Sequence, residues 1–154
     1  MNAQAQAFWQ EYVDSLNTKP LEPKVYASYA GARSITDELV SLYLAEKKYA
    51  GSGLVADYVS AGDPLPAVGD YWIVLDSHDQ PRVLVKTARI AIAKFKNVGV
   101  EVAIAEGEGD LSLEYWRREH GKFWTPSLEK FGVADLFEAE VITEFFELMK
   151  TANF

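Results

Sequence analysis

Cysteine is absent from this 154-residue chain, which rules out disulfides and thiolate metal sites. Only two histidines are present, His78 and His120, so a multi-histidine metal centre is excluded as well. No metal and no cofactor is therefore expected. No apolar run approaches the length of a membrane span. The N-terminal "MNAQAQAFWQEYV" lacks the basic start and apolar core of a secretory signal, and the expected compartment is the cytoplasm. Familiar short motifs are missing too: there is no GxxxxGK[ST], no GxGxxG after a strand, no HExxH and no GxSxG. Basic charge is scarce, with 15 Lys and Arg against 23 Asp and Glu and a net charge of −8. A domain that grips long duplex nucleic acid by neutralising phosphates is normally basic, so a long duplex is not an expected partner. A pocket for one nucleoside, or a local basic patch, remains compatible with that balance.

What is present points to a folded domain. Hydrophobic residues make up 49% and aromatic residues 13%, and the length suits one domain spanning 1–154. Such a length buries a core without staples. Charge is unevenly spread. Arg82, Lys86, Arg89, Lys94 and Lys96 follow one another without an acid, whereas Glu101, Glu106, Glu108, Asp110 and Glu114 follow without a base.

Periodicity divides the chain into elements. Phe8, Trp9, Tyr12, Val13 and Leu16 predict a helix over 3–16, broken by "NTKPLEP". Ile35, Leu39, Leu42 and Tyr43 predict a second over 34–46, with Ser34 as N-cap and Asp37 and Glu38 in its first turn. "LVADYVS" reads as a short strand or extended segment. "YWIVLD" and "RVLVKTARIAI" read as a hairpin across "SHDQP". Residues 98–105 read as one or two helical turns, 111–124 as a firm helix, and "EAEVITEFFELM" as a closing strand whose period is ambiguous with helix. The expected class is α+β with a small, mostly antiparallel, curved sheet.

Two segments carry candidate chemistry. "EKKYAGSG" places Lys47 and Lys48 at a helix end before Gly51 and Ser52. Lysines there complement the dipole and glycine caps the helix; alternatively one ammonium enters a cleft as a base or anion clamp. "EGEGD" sets Glu106, Glu108 and Asp110 at alternate positions. Asp110 reads as the N-cap of the next helix. Alternation in an extended segment would turn Glu106 and Glu108 to one face, where paired carboxylates bind cations, hold a lysine or share a proton. Arg117 is a candidate for holding those acids from above. Trp116 reads as core, and His120 as a partly buried, satisfied histidine.

"FWQEYV", "DELVSLYLAEKKYA", "GDYWIVLD" and "AEGEGDLSLEYWRREHGKFW" resemble the ASCH domain, and in particular its bacterial branch considered RNA-binding. The resemblance covers nearly the whole chain. It implies a PUA-like β-barrel of about five or six strands, with the N-terminal helices of about 3–46 packed on it and a cleft between barrel and helices. It also implies an RNA or nucleoside ligand. Some ASCH proteins are amidohydrolases that deacylate acetylated cytidine with a lysine, a threonine and a glutamate, and another is a ribonuclease. By motif the lysine falls on Lys48 and the glutamate on Glu108. The threonine falls on Gly51, so Ser52 is the hydroxyl that would replace it. In a binding module, Lys48, with Lys47 beside it, would contact a phosphate or base oxygen. Glu108, supported by Glu106 and Arg117, would accept from an exocyclic amine. Tyr49, Tyr71 or Trp72 would supply a stacking face.

Overall fold

The computed structural model describes all 154 residues. Five helices accompany five strands, whose hydrogen-bonded order is β1-β3-β4-β5-β2. The expected α+β class, with a five-stranded and mostly antiparallel sheet flanked by helices, is met. The chain divides into two compact units, each assembled from separated segments. No helix is long and apolar enough to cross a membrane.

The first unit comprises Met1–Lys48, Val68–Ala88 and Phe146–Phe154. At its centre is β3 (Tyr71–Leu75), flanked by β1 (Val25–Tyr29) in parallel and by the start of β4 (Pro81–Lys94) in antiparallel register. The β3–β4 pair is the expected hairpin. "YWIVL" is almost continuously apolar because both its faces are covered. Tyr71, Ile73 and Leu75, with Leu84 of β4, meet Ala5, Phe8 and Tyr12 of α1 (Ala3–Asp14). Val74, Val83 and Val85 meet Leu39, Val40 and Tyr43 of α2 (Thr36–Leu44) on the other face. The period of two in the strands and of three to four in the helices thus interlock. β1 carried no expectation, since "VYASY" is short and half-exposed at the sheet edge. Ser34 is not the N-cap of α2. Ile35 stands there without a side-chain bond, and the Thr36 hydroxyl turns inward to donate to the Leu75 carbonyl at 2.7 Å.

The second unit comprises Tyr49–Ala67 and Arg89–Phe145. Here β2 (Ala50–Leu54) pairs in antiparallel register with the first half of β5 (Glu140–Thr151), Ser52 facing Thr143. The sequence expectation is displaced at this point. "AGSGL", read as a helix cap, is the strand, whereas "LVADYVS", read as extended, holds the helix α3 (Val55–Ala61). Glycine serves close packing: a Cβ on Gly53 would stand 3.2 Å from the Tyr58 ring of α3. α4 (Val100–Glu106) and α5 (Leu113–Trp124) fall where the periodicity places them. Their apolar faces close over Ala50, Leu54, Phe95, Val141 and Phe145.

Candidate functional site

α4 ends at Glu106 because Gly107 takes the left-handed conformation and returns its N–H to the last helical carbonyls. Glu106 is therefore a helix residue and not part of an extended segment, which corrects the expected alternation. It nevertheless shares a cavity with Glu108. The turn continues through Gly109, also left-handed, to Ser112, which caps α5 by accepting from Tyr115 N at 3.0 Å. Asp110 is not the N-cap. Its carboxylate accepts from the Ser112 amide at 3.0 Å and stiffens the approach to the cap.

Glu106 is only 3% exposed. A carboxylate so buried needs donors, and the second unit brings three. The Ser52 hydroxyl of β2 donates to Oε2 at 2.8 Å. The indole N–H of Trp116 donates to the same oxygen. His120 Nε2 lies 3.3 Å from Oε1. Ser52 is also 2.8 Å from the hydroxyl of Thr143, its cross-strand partner. The imidazole of His120 stacks on Trp116, with centroids 4.2 Å apart and planes 20° apart. Burial alone would push the His120 imidazole down. The charge and hydrogen bond of Glu106, helped by the Trp116 carbonyl and the charge of Glu108, outweigh burial and leave its pKa raised.

Glu106, Glu108, Ser112, Tyr115, Glu119 and His120, together with Ala103 and Trp116, line a cavity of about 10 Å³. That is on the order of the space one water molecule needs. Glu106 is paired there with His120, and Glu119 with Arg118 and Lys122, and the carboxylate oxygens of the lining favour a hydrogen-bond donor. No three His, Cys, Asp or Glu side chains are grouped to hold a metal ion.

The remaining sequence candidates have neighbours within their own units. Tyr49 is 45% exposed, and its amide donates to the Ala105 carbonyl at 2.8 Å, tying the start of β2 to α4. Arg117 does not reach over the acidic turn. Its Nη2 donates to the carbonyls of Lys96 at 2.9 Å and Val98 at 3.4 Å. In the first unit, Lys47 is exposed, whereas Lys48 is buried, with its ammonium 5.5 Å from the Tyr43 ring centroid. Tyr71 lies against Trp9 and Tyr12 in the core. Trp72 packs on Tyr43 and Phe146. Both rings thus have aromatic neighbours of their own. Sequence reasoning missed Thr143, whose register with Ser52 no local pattern encodes. It also missed that Trp116 and His120, one helical turn apart, grip Glu106 together.

The ASCH domain family model matches residues 26–150. No curated protein matches the chain. Among solved structures, an ASCH domain from Lactobacillus crispatus is 22% identical, covers 97% of this chain and 96% of its own, and superposes with a TM-score of 0.87. A protein from Enterococcus faecalis is 26% identical over 96% of this chain and 89% of its own, with a TM-score of 0.82. A mutant ASCH protein from Zymomonas mobilis is 8% identical over 82% and 68%, with a TM-score of 0.52.

Proposed function

Because the chain belongs to the ASCH domain family, a PUA-like fold, we propose that it is a binding module that takes the amine edge of a nucleobase, from a free nucleoside or from single-stranded RNA, at the cavity beside Glu106. The observation that carries this reading is the buried Glu106, fixed by Ser52, Trp116 and His120, with the half-exposed Glu108 on the same cavity. An exocyclic amine is about the size of one water molecule, so the amine enters while the ring stays outside. Glu108 then accepts from it, as carboxylates do from cytosine N4, and Tyr115 flanks the ring. A net charge of −8 agrees with a partner that is not a long duplex.

A second reading has one observation in its favour. A hydroxyl donating to a carboxylate, as Ser52 does to Glu106, is the arrangement of a nucleophile and its base, and it would suit an amidohydrolase acting on acylated nucleosides or a ribonuclease. Against it, Ser52 is also held by Thr143, and Glu106 is already paired with His120.

Titrating the protein with cytidine and a short single-stranded RNA, and incubating it with acetylated cytidine, separates the two. The expected result is binding without turnover, weakened about tenfold or more in Glu108→Ala, since a hydrogen bond to a charged group contributes roughly 1.5–3 kcal/mol. Turnover of acetylated cytidine that is lost in Ser52→Ala overturns the binding-only reading. Lys48→Ala is the arm that asks whether the lysine named by the resemblance serves the same ligand.

A further inference from the structure

His120 has an acceptor at each ring nitrogen. Nδ1 lies 2.9 Å from the Trp116 carbonyl oxygen, which only accepts, so Nδ1 carries a hydrogen. Nε2 faces Glu106 Oε1 at 3.3 Å, and a carboxylate accepts as well. A proton must therefore lie in that contact, on the ring or on the acid. Glu106 Oε2 receives the Ser52 hydroxyl and the Trp116 indole N–H, and both favour the ionised acid. The proton accordingly belongs to His120. The ring stacks on Trp116, with Trp124 tilted beside it at a centroid distance of 5.0 Å. The other titratable groups that share the cavity with it are Glu108, Glu119 and Tyr115, none of them cationic.

We propose that His120 is the positioning residue of this cavity: its proton holds Glu106, and through Glu106 the Ser52 hydroxyl, in place, and loss of that proton loosens the wall that receives the amine. Once Nε2 is bare, its lone pair confronts an Oε1 lone pair, and the contact changes from attraction to repulsion. Glu106 keeps the Ser52 and Trp116 donors on Oε2, but Oε1 is pushed away from the ring, and the carboxylate shifts about its remaining bonds. The inference rests on the binding reading only for its consequence to the ligand; the coupling inside the network stands on the protein alone.

Nitrogen NMR of the ligand-free protein tests the coupling, with His78→Asn used to tell the two histidines apart. The expected result is a His120 ring protonated on both nitrogens at pH 7, with a titration midpoint above the ordinary value of about 6.5. The Trp116 indole N–H resonance should move with the same midpoint, and in His120→Gln that movement should vanish. A His120 ring carrying one proton at pH 7, or a Trp116 resonance that ignores its titration, overturns the inference; both are read in the wild-type protein even if His120→Gln fails to fold. Cytidine affinity should fall at least threefold as pH rises through the His120 midpoint. Flat affinity across a confirmed titration overturns the inference and leaves the binding reading intact. Failure of cytidine to bind at any pH, with the coupled titration present, removes the binding reading and leaves the positioning role supported.

Discussion

Asp76 and Glu106 are both buried acids, 1% and 3% exposed, yet they are stabilised differently. Asp76 follows β3 and accepts from the amides of His78 at 2.8 Å and Gln80 at 3.0 Å and from Arg82 Nε at 2.7 Å. Burial would raise its pKa, but the Gln80 amide, Arg82 and the His78 amide together outweigh that and hold it below the usual carboxylate range. Removing one partner of such a pair leaves the other charge stranded. Asp76→Ala is expected to cost about 3 kcal/mol and to lower Tm by roughly 6–12 °C in a thermal melt. The two acids also differ in how legible they are. The spacing of "EGEGD" singles out Glu106 as an unusual acid, but its partners Ser52 and Thr143 are brought to it by strand pairing, which the order of residues does not display. Asp76 reads only as the last residue of the "YWIVLD" strand, because its value comes from the curl of the chain over the next six positions.

Among the elements, those with a strong apolar period were legible: α1, α2, β3, β4, α4, α5 and β5 all lie within a few residues of expectation. The failures share a cause. β2 is glycine-rich and lacks strand chemistry of its own, so its partner β5 imposes the conformation. α3 is built from β-branched and small residues that suit a strand equally well, and it is exposed enough that no burial stripe marks it. The turn between α4 and α5 gives a sharper test of local control. A Cβ on Gly109 would clash with the Tyr115 ring while also straining a left-handed backbone. Gly109→Ala is expected to destabilise by about 1–3 kcal/mol. Ser112→Ala should remove the α5 cap for about 1 kcal/mol. Denaturant midpoints of the two variants measure the difference, and an equal shift would mean that the turn accommodates the methyl group.

At the scale of the molecule, the two buried acid clusters set opposite limits on stability against pH. Asp76 has a lowered pKa, so its contribution is complete above about pH 3.9 and is lost as pH falls through the folded value. His120 has a raised pKa, so its contribution is complete below about pH 6.5 and is lost as pH rises through the folded value. Thermal melts should therefore be highest between these limits, with His120→Gln flattening the alkaline side and leaving the acid side unchanged. A wild-type Tm that does not decline on the alkaline side would contradict the assignment. The interleaving of segments has a different consequence, one of timing. The first unit needs Phe146–Phe154: the Ala152 amide bonds to the Arg82 carbonyl at 2.8 Å, and Lys150 reaches Glu11 at 2.6 Å. On the ribosome these residues are made more than a hundred positions after α1. The helices that emerge first meet β3 and β4 well before this last segment arrives to close the unit. Non-local closure of this kind is slow, so the first unit stays open along this edge until Phe146–Phe154 have emerged.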